Sequence, residues 1–250
     1  MALTLTVGLL ADLVAQGEDD DATFLRDELA LVASAFEEAG LPAHREPERL
    51  PDGQAPWACD MPGYAGLHAL RRVAAHLDLV GKLPLPLADD EEPTEDPMLA
   101  AYYGDADDET PPEVAALVER HEDTPRTFEH LVFHGDSEGY YLPVDFEEPG
   151  FLLGGDDPDE EEADADAEPL VAGGGIVGSS VRLEAECRRL AAALGVPADL
   201  TLDDRTLAHA VEYPGAGPGW QRYGVEVYSC VALLEACERS RTLRSAIVFV

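Results

Sequence analysis

The chain has 250 residues, 46% of them apolar, and a formal net charge of −36. That is enough apolar material for a core, so the acidity does not make the chain disordered as a whole. The charge sets aside direct binding of DNA, RNA or an anionic membrane, each of which needs Lys or Arg against phosphate, and no apolar run approaches the roughly 20 residues of a bilayer-crossing helix.

"LTLTV" (3–7) alternates apolar residues with threonine and predicts a half-buried strand. "DDDATFLRDELALVASAFEEAG" (19–40) predicts a helix: Leu25, Leu29, Val32 and Phe36 fall on one face, Asp20 or Asp21 caps its start, and Gly40 with Pro42 ends it. A Pro-rich loop carrying Trp57 and Cys59 follows. "GLHALRRVAAHLDLVG" (66–81) predicts a second helix, with Leu67, Leu70, Ala74 and Leu77 on one face, Arg71 and Arg72 elsewhere pairing with nearby acids, and Gly81 at its end. Residues 84–112 hold about ten acids and several prolines and read as a flexible loop. "EVAALVERHE" (113–122) predicts a short helix. "FEHLVFH" (128–134) predicts a buried strand, and "GYYLPVDF" (139–146) an extended piece that Pro143 confines to an edge or bulge. Residues 147–168 form a second acidic, flexible tract.

"SSVRLEAECRRLAAALG" (179–195) predicts a third long helix, capped by Ser179 or Ser180, with Leu183, Cys187, Leu190 and Leu194 inward. "LDDRTLAHAVE" (202–212) predicts a short helix and 220–239 a long one, with Tyr223, Val227, Cys230, Leu234 and Cys237 on one face. The terminal "AIVFV" (246–250) is a continuous apolar run, as in a central strand covered on both sides. The mixture predicts a single α+β domain over 1–250, its acidic tracts being insertions, with mixed α/β as the alternative.

The four cysteines form no CxxC pair, and Cys187, Cys230 and Cys237 lie on apolar helix faces, so they read as buried free thiols. "MALTLTVGLL" lacks the basic region of a signal peptide, and the expected compartment is the cytoplasm.

Two stretches invite chemistry. In "GGGIVGSS" (173–180), Gly173 and Gly178 have the GxxxxG spacing of a phosphate-binding loop and Ser180 the place of its magnesium-binding hydroxyl, but Ser179 stands where the lysine belongs. Gly178, Ser179 and Ser180 are therefore a weak anion site at a helix N-terminus, set against a plain serine cap. In "HLVFHGDSEGYYLPVDF" (130–146), His134, Asp136 and Glu138 are candidate ligands for a divalent metal. His130, Tyr140 and Asp145 are further members of that site, which is set against an ordinary polar turn.

"FHGDSEGYYLPVDF", "GGGIVGSSVRL" and "AIVFV", in this order after "VGLLADL" and "LRRVAAH", resemble an uncharacterised family of acidic bacterial proteins over most of the chain. The resemblance implies a bacterial cytoplasmic origin and a single domain, and transfers no activity, cofactor or catalytic residue.

The leading functional expectation is a non-enzymatic interaction protein whose acidic surface binds a basic protein partner, in an immunity or antitoxin-like role. Imitation of a nucleic acid toward its binding proteins is a variant for which no motif speaks. The alternative is a metal-assisted hydrolase or small-molecule enzyme built on the His134–Asp136–Glu138 turn. A third reading makes the acidity an adaptation to salt or to a GC-rich genome: Lys82 is the one lysine, asparagine is absent, and isoleucine occurs at Ile176 and Ile247 alone.

Overall fold

The computed structural model describes residues 3–87, 91–104, 110–121, 124–135, 139–151 and 176–250. The chain starts with strand β1 (Leu3–Val7), helices α1 (Leu9–Gln16) and α2 (Asp19–Glu38), strand β2 (Trp57–Met61) and helix α3 (Gly63–Val80). Helices α4 (Pro97–Tyr103), α5 (Pro112–His121) and α6 (Glu129–Val132) and the short strands β3 (Tyr140–Leu142) and β4 (Gly150–Phe151) follow. The last part comprises β5 (Ile176–Ser179), α7 (Ser180–Leu194), α8 (Arg205–Glu212), α9 (Gly224–Leu243) and β6 (Ile247–Phe249).

The strands form one mixed sheet of order β2-β1-β6-β3-β5-β4. All neighbouring pairs are antiparallel except β3–β5, where Tyr141 lies beside Gly178. Helices α3, α7 and α9 cover one face, meeting Leu3, Leu5, Val7, Tyr141, Ile247 and Phe249. Helix α2, with Leu10 of α1, covers the other, where Leu25, Leu29, Val32 and Phe36 meet Leu142, Val177 and Val248. Strand β6 is thus buried on both faces, which is why its sequence is apolar without alternation. The architecture is α+β.

Helix α9 is buried along most of its length and packs on α7, α3 and α8. Cys187, Cys230 and Cys237 are buried free thiols, as expected; the hydrogen bond with Cys230 and then burial hold the Cys187 thiol, and burial the Cys237 thiol, well above their ordinary pKa. Ser179 caps α7 by accepting the Arg182 amide at 3.2 Å.

The structure corrects several local expectations. The Trp57–Cys59 stretch is not loop but strand β2, paired to β1 along its full length. The tract 84–112 contains a 3-10 turn (Pro93–Glu95) and α4. Asp96 caps that helix, accepting the amides of Met98 and Leu99, and Pro97 opens it, a start signal that the surrounding acids obscure. Burial would raise the Asp96 pKa, but hydrogen bonds with His76 and Arg72 hold it down to about 2. Asp20 and Asp21 lie inside the first turn of α2, whose N-cap is Glu18 without a side-chain cap bond. "FEHLVFH" is not a strand: α6 takes its centre and a bend its end. Strand β3 stops at Leu142 and has neighbours on both sides, so Pro143 follows an interior strand and does not mark an edge.

Candidate interaction surface and the polar network beneath it

The 128–135 segment crosses the interior without a strand's ladder, so its backbone groups need other partners. Arg71 of α3, 1% exposed, supplies two donors: Nε to the Leu131 carbonyl at 2.9 Å and Nη2 to that of His134 at 2.6 Å. Glu186 of α7 supplies two acceptors, Oε1 for the His130 amide at 3.1 Å and Oε2 for the Leu131 amide at 2.8 Å. Burial pushes the Glu186 carboxyl up to about 8 against those two bonds. The Tyr141 hydroxyl donates to the His130 carbonyl at 2.7 Å.

His130 and His134 are drawn into this network, and burial lowers both to about 4. His130 Nδ1 accepts the Ser179 amide at 3.0 Å, leaving Nε2 to donate to the Glu147 carbonyl at 3.1 Å. His134 stacks on Tyr141 with centroids 3.9 Å apart; its Nδ1 lies 2.9 Å from the Gly135 carbonyl and its Nε2 3.3 Å from that of Tyr140. Tyr140 donates its hydroxyl to Glu28 of α2. Asp145 is exposed and accepts Arg182 Nε at 2.5 Å. Asp136 and Glu138 lie outside the described residues. Among the described residues no three His, Cys, Asp or Glu side chains are grouped to hold a metal ion.

Gly178 lies under the Tyr141 ring, where a Cβ would meet ring carbons at 2.4 and 2.5 Å. The Ser179 hydroxyl donates to the Val144 carbonyl at 2.6 Å, and that of buried Ser180 lies 3.1 Å from the Ser240 hydroxyl. Gly178, Ser179 and Ser180 are therefore tied into strand pairing, helix capping and helix packing.

The buried charges escaped sequence reasoning. Glu186 follows Leu183 by three residues and precedes Leu190 by four, so it sits on the apolar stripe of α7, a signal that helical spacing alone contains. Its partners lie 55 and 56 residues away in the chain and leave no local trace.

Charge is unevenly divided along the sequence. Residues 83–175 hold 29 Asp and Glu against 2 Arg, net −27; residues 1–82 have net −8 and residues 176–250 net −1. Within the last part carboxylates meet guanidinia: Glu184 binds Arg188 at 2.5 Å and Arg241 at 2.8 Å, and Glu235 lies 3.6 Å from Arg239. In 83–151, Glu91, Glu92, Glu95, Glu113, Glu147 and Glu148 are exposed. Helix α2 adds Asp19, Asp20, Asp21, Asp27, Glu37 and Glu38, all exposed; its one cation, Arg26, is bound to Glu48 at 2.6 Å.

A framework with balanced charge carrying a strongly anionic remainder defines an acidic α+β protein. The chain belongs to the family described as "Putative DNA-mimic protein", whose model matches residues 1–249. This agrees with the resemblance to an acidic family over most of the chain. No curated protein and no solved structure matches the chain. No described helix is long and apolar enough to cross a membrane.

Family membership corrects the partner expected from the sequence. Net charge sets aside direct nucleic-acid binding and leaves an unspecified basic protein, with imitation of a nucleic acid only as a variant without a motif. The family's description brings DNA back as the object imitated.

Proposed function

We propose that this protein acts as a DNA mimic. It binds a DNA-binding protein non-enzymatically, its carboxylates standing where that protein receives phosphates. The observation that carries the reading is family membership over residues 1–249, and the partition of charge agrees with it. Duplex DNA carries one charge per about 1.7 Å of axis, so the net −27 of residues 83–175 equals the charge of about 46 Å of duplex. Such a field steers a cationic DNA-binding cleft toward the chain, with an encounter rate that salt suppresses. In the antitoxin-like form of this reading the partner is a nuclease, held with its DNA site occluded.

The test is capture of host proteins on the immobilised full chain at low salt, followed by elution with a duplex oligonucleotide. The expected eluate is a DNA-binding protein for which chain and duplex compete. A captured protein that holds both at once, or the recovery of none that duplex displaces, refutes the proposal.

A further inference from the structure

Helix α2 turns Ala22, Leu25, Leu29, Val32 and Phe36 toward the sheet. At about 100° per residue, the opposite side is a straight stripe of Asp20, Phe24, Asp27, Leu31, Ser34 and Glu38, all of them exposed. Carboxylates and apolar groups alternate along it as far as Leu31, after which Ser34 and Glu38 follow, and no cation interrupts it. Phe24 is 55% and Leu31 50% exposed, two turns apart on one line. Those two positions face away from the core, where charged or polar residues are the ordinary choice for a helix lying on a sheet.

We infer that this outer stripe of α2 is a docking face, seated in the DNA-binding cleft of the basic protein partner. The inference rests on the DNA-mimic reading and names the surface that performs it. Charge selects the occupant. Two copies pairing through this stripe would bring carboxylate against carboxylate in either direction, because Asp20, Asp27 and Glu38 span it end to end. A cleft built for DNA presents Lys and Arg to phosphates and apolar atoms to sugars and thymine methyls between them. The stripe offers a like order of chemistry: acid, ring, acid, aliphatic chain, hydroxyl, acid. From Asp20 to Glu38 it rises about 27 Å, the length of about eight base pairs at 3.4 Å each. The carboxylates supply long-range attraction, and Phe24 and Leu31 supply the desolvated anchors that slow dissociation.

The experiment uses the duplex-displaceable protein recovered on the wild-type chain as its probe, titrated with full-length variants. F24A/L31A is expected to bind at least tenfold more weakly, mainly through faster dissociation. D20N/D27N/E38Q is expected to flatten the dependence of affinity on salt. Leu85→Ala, 79% exposed and off the stripe, is expected to bind as wild type does. All the altered side chains are solvent-facing, so each variant should keep the wild-type melting temperature within a few degrees. If wild type recovers no such protein, the mimic reading falls and this inference falls with it. If it does, and F24A/L31A binds within twofold of wild type, the stripe inference is overturned while the mimic reading stands. A wild-type dimer in sedimentation that F24A/L31A dissociates would make the stripe a contact between copies and would equally overturn it.

Discussion

Gly178→Ala separates a packing glycine from a phosphate-cradling one. A methyl group at 178 would stand 2.4 and 2.5 Å from the Cδ1 and Cε1 atoms of Tyr141 and 3.2 Å from Cδ2 of His134. Carbon atoms are comfortable at about 3.5–4.0 Å, so the ring must retreat by about 1 Å. It has little freedom to do so. Tyr141 is 1% exposed, lies 3.9 Å from the His134 ring, and is tethered by its hydroxyl to the His130 carbonyl. Overpacking of this kind costs about 1–3 kcal/mol, and losing the buried hydroxyl bond about 1–3 more, so the variant should be destabilised by about 2–6 kcal/mol. Urea unfolding followed by circular dichroism measures this as a lower midpoint. Tyr141→Leu removes the obstructing ring, so G178A should cost at least about 1 kcal/mol less in that background than in wild type. A G178A variant within about 0.5 kcal/mol of wild type, or equal costs in both backgrounds, would refute the reasoning.

The pH dependence of stability has two limbs. Burial holds His130 and His134 at about 4, below the ordinary 6.5, so the unfolded chain takes up protons first. Their contribution is complete above pH 6.5 and falls by a few kcal/mol as pH drops to about 4; an imidazole resonance of either that titrates near 6.5 in the folded protein would contradict this. Glu186 has the opposite sign, because its carboxyl is raised to about 8: stability is full below about pH 4.5 and drawn down as pH rises through 8. Urea midpoints for Glu186→Gln should therefore fall less between pH 6.5 and 8 than those of wild type. Arg244 closes α9 in a left-handed conformation, φ 54°, that glycine adopts without strain, so Arg244→Gly should raise the unfolding free energy by about 0.5–1 kcal/mol. With a chromogenic disulfide at pH 8, native protein should release only the half-buried Cys59, slowly because burial raises its pKa, and all four thiols in denaturant; early release of three or four would contradict the packing.

Long amphipathic elements were legible because each carries its period in its own sequence. Helices α2, α3, α7 and α9 are read from apolar spacing, and β6 from an unbroken apolar run. Shorter elements depend on what surrounds them. "FEHLVFH" is apolar enough for a buried strand, but Arg71 and Glu186 satisfy its backbone from two helices, and a single turn suffices. Strand β2 has five residues after a run of proline and polar positions, and only its pairing with β1 defines it. Of the candidate site, the structure places His130, His134 and Gly178 to Ser180 in one connected interior and Tyr140 half-buried against α2, whereas Asp145 stays at the surface. Nothing in the spacing of these residues distinguishes a ring nitrogen spent on a backbone group from one free for a ligand.

The division of charge also bears on how so acidic a chain holds together. Spread evenly, a net charge of −36 would set every element against its neighbours. Here α7, α9, β5 and β6 come from a segment of net −1, and its carboxylates meet guanidinia at contact distance. This nearly neutral unit carries the centre of the sheet and much of one helical layer, so repulsion acts chiefly in what is attached to it. Helix α2 is attached across the other sheet face, by apolar contact and by Tyr140 bonded to Glu28. Neither contact uses the outer stripe. Phe24, Asp27, Leu31 and Glu38 thus take no part in the packing that holds α2 to the sheet, and Asp20 contributes only through the helix dipole, so substitutions there report chiefly on binding.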